Sequence, residues 1–275
     1  EAGAPPGAVN VVPGNRETVA ALLGDQRVAM FTLTGSRAAG EALVRGAGLR
    51  RVVLELGGNS PNIVHHDAAI GAAAAACVRG GFANTGQSCN SVQRILVHRS
   101  VMEPFTERLL ELTRDLAVGD PMDPATDVGT LVDESAALRI ESWLGEAQER
   151  GARVLLGGRR TGAQLEPTVV VDAPTDTRLV CEEVFGPVVI LLPYDDLEEA
   201  IAQANATPYG LQAAVFTESI SVALRVARGV RAGGVLVNRA TNFRMDHLPY
   251  GGVKESGIGR EGPIHAIEEM SELKL

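Results

Sequence analysis

The chain has 275 residues, 34 acidic against 25 basic side chains, a net charge of −9 and 45% hydrophobic residues. That is enough for one large domain or two ordinary ones with a real core, and it argues against wholesale disorder. The acidic balance disfavours nucleic acid or anionic lipid as a partner, and no apolar run reaches the roughly 18 residues a membrane helix needs.

In chain order, Val9-Asn10-Val11-Val12 reads as a short strand ended by Pro13-Gly14, with a helix following across Glu17 to Leu23. Val28 to Leu33 reads as a buried strand running into Thr34-Gly35-Ser36 and a helix to about Val44. Val52 to Leu56 is a strand closed by Gly57-Gly58, and Asp67 is expected to cap the Ala-rich helix behind it. Arg94 to His98 is a strand, Val101 to Leu116 and Glu134 to Gly151 are helices, and Val154 to Leu156 is a strand. Strands over Val188 to Leu192, Ala213 to Phe216 and Gly234 to Asn238 alternate with helices over Leu197 to Asn205 and Ser219 to Arg228. This rhythm predicts an α/β fold with a largely parallel sheet, and the Gly57-Gly58 turn is the expected domain boundary.

Three cysteines without a CxxC spacing, behind a first segment lacking the features of a signal peptide, predict a reduced, cytoplasmic protein. Only Lys254 and Lys274 are available for Schiff-base chemistry. Neither a phosphate-loop motif nor the GxGxxG dinucleotide fingerprint occurs.

Cys89 lies among small and polar residues, Asn84-Thr85-Gly86-Gln87-Ser88-Cys89-Asn90, where a thiol can be solvated and ionised. Its plainer reading is a small buried side chain before a strand. That reading suits Cys77, which follows five alanines, and Cys181 reads as structural. Glu55, inside the apolar run Val52-Val53-Leu54-Glu55-Leu56, must be paired, neutral or functional if it is buried, and desolvation would raise it toward general-base range. A solvent-facing strand end is the plainer reading. Glu182 and Glu183 point in different directions, so at most one enters a site, and a solvated turn is the usual outcome. Thr34-Gly35-Ser36 offers either backbone N–H groups for a phosphate or a plain turn with Ser36 as helix cap. Adjacent His65 and His66 rarely converge on one ion, so no metal is expected.

Taken in order, these segments resemble one family, the aldehyde dehydrogenases. The matching stretches are Thr34-Gly35-Ser36, Leu54-Glu55-Leu56-Gly57-Gly58-Asn59-Ser60-Pro61, Gly86-Gln87-Ser88-Cys89 and Glu182-Glu183-Val184-Phe185-Gly186-Pro187. They continue with Asn205 to Leu211 and with Pro249-Tyr250-Gly251-Gly252-Val253-Lys254-Glu255-Ser256-Gly257. The resemblance implies an aldehyde dehydrogenase-like α/β fold: residues 1–57 as the remainder of a Rossmann-type cofactor domain, 58–256 as the thiol domain, and 257–275 returning toward the oligomerisation region. It implies Cys89 as nucleophile, Glu55 as the base that activates water, and NAD or NADP held by Gly35, Ser36, Leu56, Glu183 and Phe185. It also implies assembly as a homodimer or homotetramer at full length. Most of the cofactor domain is expected to precede Glu1, by more than a typical domain's worth of chain.

The stretch Asn242-Phe243-Arg244-Met245-Asp246-His247-Leu248-Pro249-Tyr250-Gly251-Gly252 resembles the branch that oxidises short hydroxylated or anionic aldehydes, such as lactaldehyde, glycolaldehyde and phosphonoacetaldehyde. Arg244 or Arg239 is the expected anchor for the polar group, and Ser88 is a further substrate-side candidate that, being uncharged, gives no support for a phosphate contact. Two rival readings stay open: an inactive relative that binds partners, and a cysteine-dependent esterase or acyl transferase without hydride transfer.

Overall fold

A computed structural model describes residues 3–275; Glu1 and Ala2, the opening of the expected first segment, lie outside the described residues. The elements in chain order are α1 (Arg16–Gly24), β1 (Met30–Thr34), α2 (Arg37–Ala47), β2 (Arg51–Glu55), β3 (Ser60–Val64), α3 (Ile70–Phe82) and β4 (Val92–His98). There follow α4 (Met102–Arg114), α5 (Glu134–Glu149), β5 (Arg153–Leu156), the hairpin β6 (Arg160–Thr161) and β7 (Gln164–Leu165), β8 (Thr168–Val171) and α6 (Arg178–Cys181). The chain finishes with β9 (Val188–Tyr194), α7 (Leu197–Asn205), β10 (Gln212–Phe216), α8 (Ile220–Gly229), β11 (Gly234–Val237), β12 (Gly257–Ile258) and α9 (Pro263–Glu269).

Seven strands form the main sheet in the order β11-β10-β3-β4-β9-β8-β5, parallel except for β5 against β8. Strands covered by helices on both faces must be apolar on both sides, and β9 and the later halves of β3 and β4 are. Ile63, Leu96, Ile190 and Leu192 pack toward α5, α7 and α8 in one core, with Ile140, Ile201 and Val226. Their neighbours Val64, Ile95, Val97, Val189 and Leu191 face α3 and α4 in a second core, with Cys77, Phe82, Phe105 and Leu109. The alternation is the two-residue period of a strand.

A smaller sheet, β1-β2-β12, carries its own core of Phe31, Leu43, Ala47, Leu54 and Leu56. β1 and β2 run parallel, so Thr34 sits beside Glu55, and β12 joins antiparallel with Gly257 opposite Glu55. Gly57 and Gly58 connect β2 of this sheet to β3 of the main one.

Two local expectations fail. Val9 to Val12 forms no strand; Val9, Val11 and Val12 are exposed, and no strand among the described residues pairs with them. Three valines have β propensity, but without a partner the backbone hydrogen bonds that define a strand do not exist. Asp67 does not cap α3, which starts at Ile70 behind Ala69 with no side-chain cap. Its carboxylate instead accepts from Thr217 Oγ1 at 2.8 Å and meets His65 Nδ1 at 2.9 Å, tying the end of β3 to the end of β10. The sequence reading also passed over β3 and β8.

Candidate active site

Glu55 is the last residue of β2, and the Gly57-Gly58 turn swings the chain from there into the main sheet. A side chain at Gly58 would run into the carbonyl oxygen of Cys89, and one at Gly57 into the carboxylate of Glu183. The pair therefore permits three segments to meet: the end of β2, the Cys89 loop, and the turn between α6 and β9.

The Cys89 loop leaves α3 through Asn84, Thr85 and Gly86, all with left-handed φ of 51°, 57° and 69°. Such a run is costly for the first two residues and is held by its surroundings. Thr85 Oγ1 accepts from the Gly129 amide at 3.1 Å, and Gln87 accepts from the Val132 amide at 2.8 Å. The Glu183 turn is locked from β3 and β4. Gln93 Nε2 donates to the Glu182 carbonyl at 2.8 Å and its Oε1 accepts from the Val184 amide at 3.0 Å. Asn59 Nδ2 donates to the carbonyls of Val180 (2.7 Å) and Glu182 (2.9 Å). Arg94, fully buried, donates to Asn59 Oδ1 at 2.6 Å and to the Gln203 carbonyl at 2.7 Å. Among the described residues no carboxylate pairs with this guanidinium, and burial lowers it to about 10.

The result is a cavity of about 620 Å³ lined by Thr34, Gly35, Ser36, Glu55, Leu56, Gly57, Gln87, Ser88, Cys89, Arg139, Glu183 and Phe185. Eight of the residues singled out from the sequence meet there; Arg244 and Arg239 do not line it. Arg244 borders a separate cavity of about 210 Å³, pairs with Glu261 at 2.7 Å and lies 4.3 Å over the Tyr250 ring. Arg239 is exposed, with its guanidinium 5.4 Å from the Phe243 ring.

Glu55 is only 5% exposed, and among the described residues neither carboxylate oxygen has a hydrogen-bond partner. Burial, aided by the negative charge of Glu261 and opposed by Arg260 and Arg244, pushes it up to about 7. Glu183 also rises to about 7 through burial, although the Gly58 amide donates to it at 2.8 Å and Arg139 attracts it. Glu182 turns away and accepts from the Tyr209 hydroxyl at 3.1 Å. Cys89 is partly buried, and that burial raises its thiol; the Tyr250 hydroxyl, 3.3 Å from Sγ, works against this, while Glu183 and Glu55 add to it. The polar sequence around Cys89 suggested an easily ionised thiol, but the folded surroundings make ionisation harder. Cys77, fully buried in the second core, is pushed far above the ordinary thiol range.

At the cofactor candidates, the Gly35 amide donates to the Glu55 carbonyl at 3.0 Å, and Ser36 Oγ accepts from the Ala39 amide at 3.3 Å, capping α2. Those two groups are therefore engaged within the chain, while the helix start they form faces the cavity. Phe185 has φ of 52° and is 39% exposed, a large ring held out at the cavity wall. Ser88 Oγ donates to Asn90 Oδ1 at 2.7 Å. His65, His66 and His98 gather at the far ends of β3 and β4, with ring centroids 4.1 to 5.9 Å apart; among the described residues no group of His, Cys, Asp or Glu has the arrangement of a metal site.

Sequence reasoning missed Arg139, Gln87 and Tyr250. Arg139 carried no signal, being one arginine on an amphipathic helix. Tyr250 lay inside a quoted motif but its proximity to Cys89 spans 161 residues of chain.

The family model described as the aldehyde dehydrogenase family matches residues 1–275. The chain is 46% identical over 276 residues to 3-sulfolactaldehyde dehydrogenase of Priestia aryabhattai, covering 100% of this chain and 58% of that protein. It is 41% identical over 271 residues to lactaldehyde dehydrogenase of Methanococcus maripaludis, covering 98% and 58%. Among solved structures, aldehyde dehydrogenase 21 from Physcomitrella patens, in complex with the reaction product succinate, superposes with a TM-score of 0.91 at 39% identity, over 96% of this chain and 55% of that one. The chain spans somewhat more than half the length of these relatives. By this match over its full length, and by the shared fold, the chain belongs to the aldehyde dehydrogenase family.

Proposed function

We propose that the protein carrying this chain oxidises a short hydroxylated or anionic aldehyde to its acid with NAD or NADP, Cys89 serving as nucleophile and Glu55 as base. The observation that supports this best is the shared cavity, in which a thiol and a buried carboxylate without hydrogen-bond partners meet. Sulfur attacks the aldehyde carbon: the C–S bond forms and the carbonyl pair moves to oxygen, where the Cys89 amide is the nearby backbone donor. A nicotinamide held against Phe185 and Glu183 would supply the hydride acceptor needed to convert this adduct to a thioester. Glu55, ionised above about 7, takes a proton from water as that water attacks the thioester carbon; the C–S bond then breaks, Cys89 leaves as thiolate and the acid is released.

The wall of the cavity fits such a cofactor. Phe185 offers a flat apolar face and Glu183 a carboxylate for a ribose hydroxyl, with Leu56 beside them and the Gly35-Ser36 helix start available to a phosphate. In this reading the paired strands β1 and β2 within residues 1–57 are the cofactor side, residues 58–256 the thiol domain, and 257–275 the return, whose β12 completes the three-stranded sheet before α9. A glyceraldehyde-3-phosphate dehydrogenase from Methanocaldococcus jannaschii, solved with NADP, is similar to this chain at a TM-score of 0.89 and 40% identity, covering 92% of this chain and 55% of that one.

The substrate class follows the relatives' names, and the proposed anchor is Arg244, which borders the smaller cavity together with Tyr250, the neighbour of Cys89, or Arg239. An esterase-type acyl transfer without hydride is the second reading, favoured by the engagement of the Gly35 amide and Ser36 hydroxyl within the chain. Assaying sulfolactaldehyde, lactaldehyde and glycolaldehyde with NAD and NADP, beside an activated ester, separates the two. Reduced nicotinamide should appear with at least one aldehyde and vanish in Cys89→Ser; ester turnover alone sinks the dehydrogenase reading. Arg239→Ala or Arg244→Ala should lower kcat/KM for the anionic aldehyde about tenfold or more while sparing an unsubstituted one. If neither does, the anchor idea fails.

A further inference from the structure

We propose that the Tyr250 hydroxyl is a catalytic hydrogen-bond donor to Cys89 that favours the thiolate form of its sulfur. The inference deepens the thiol reading above and rests on it.

Tyr250 Oη lies 3.3 Å from Cys89 Sγ. The residue is 6% exposed, so water does not compete freely for the hydroxyl. Its position is fixed twice over: the Arg244 guanidinium lies 4.3 Å above the ring, and its backbone exchanges hydrogen bonds with Glu261, from Tyr250 N to Glu261 O at 3.1 Å and back at 2.6 Å. The charged groups facing the sulfur are the carboxylates of Glu183 and Glu55, and both oppose its ionisation. Against them stand the Cys89 amide and the Tyr250 hydroxyl. Burial beside Cys89 pushes the phenol well above its ordinary range, so Tyr250 keeps its proton. It acts as a donor, never as the base that removes the thiol proton.

When that proton leaves for solvent, the sulfur becomes acceptor-only and the phenol can bond to it as a charge-assisted donor. On attack the sulfur pair enters the new C–S bond, the carbonyl pair moves to oxygen, and the Tyr250 bond weakens. The bond is therefore strongest before attack. It raises the thiolate fraction and, in the same measure, tempers the nucleophilicity of each thiolate.

The test is alkylation of the full chain by iodoacetamide across pH, read peptide by peptide so that Cys89 is separated from Cys77 and Cys181. It needs neither aldehyde nor nicotinamide, so its outcome is independent of whether the protein oxidises aldehydes. In Tyr250→Phe the Cys89 midpoint should rise by about one pH unit, while the rate on the high-pH plateau should increase about threefold. A merely structural role predicts neither the upward shift nor the faster plateau; a midpoint that stays or falls overturns the proposal. A second measurement avoids any change in packing. The chain has three tyrosines, and Tyr194 and Tyr209 donate to Val64 O and Glu182 instead. Uniform 3-fluorotyrosine, a more acidic phenol, should lower the Cys89 midpoint in the wild-type chain. An unchanged midpoint there also overturns the proposal.

Discussion

Cys89 faces two buried carboxylates, Glu183 and Glu55, whose negative charge opposes ionisation of its thiol. Glu55 rises to about 7 because it is buried without a hydrogen bond, so its base form grows as pH climbs through that value. Steady-state turnover that depends on water activation should therefore increase with pH across about 7, and a rate–pH profile reads this directly. Glu55→Gln keeps the shape of the side chain but cannot accept the proton. The expected result is a first turnover of reduced nicotinamide close to wild type, followed by a steady state slower by about 10²–10⁴-fold. A proportionate loss of both phases would instead assign Glu55 to the attack step.

At the scale of elements, strand ends and turns do the positioning. The Gly57-Gly58 link brings β2 against the Cys89 loop only because neither residue has a side chain. Gly58→Ala should displace the Cys89 backbone, slowing Cys89 alkylation and costing about 1–3 kcal/mol in chemical denaturation. A variant with unchanged stability and alkylation would show that the close approach is dispensable. Behind the loop, Arg94 on β4 ties Asn59 to the end of α7 with a buried charge that has only neutral oxygens for company. Arg94→Met removes the charge but leaves those oxygens without donors. The expected loss is about 3–5 kcal/mol, and a melting curve close to wild type would contradict it.

For the molecule as a whole, the site carries a stability cost that varies with pH. Glu55 and Glu183 sit near 7 in the fold against an ordinary value of 4.5. Between those limits the folded chain holds protons that the unfolded chain has released. The stability these two groups contribute is thus complete below about 4.5 and is lost as pH rises through about 7. Tm should fall over that window, and the fall should shrink in Glu55→Gln. An identical slope in the variant would mean that Glu55 is not protonated in the fold at mildly acidic pH.

Much of the framework was legible in the amino-acid order because it is local. Helix α7 follows from its own apolar spacing over Leu197–Asn205, and Cys77 from its place behind a run of alanines. The family resemblance and the candidate thiol and base were also readable, because ordered motifs survive as short words. Local pattern failed where a partner far along the chain decides the outcome. Val9 to Val12 has strand propensity but no neighbour to pair with, whereas Ser60–Val64, broken by a proline, becomes a central strand because β4 and β10 flank it. Asp67 forgoes the helix cap for Thr217, 150 residues away. Tertiary structure alone brings Tyr250 to Cys89 and Glu183 to Gly58, across 161 and 125 residues. The sequence by itself determined which side chains with chemistry are present and in which local element most of them lie. Only the tertiary structure decided which of them are buried together, because burial and the ionisation that follows from it arise from contacts that no local window contains.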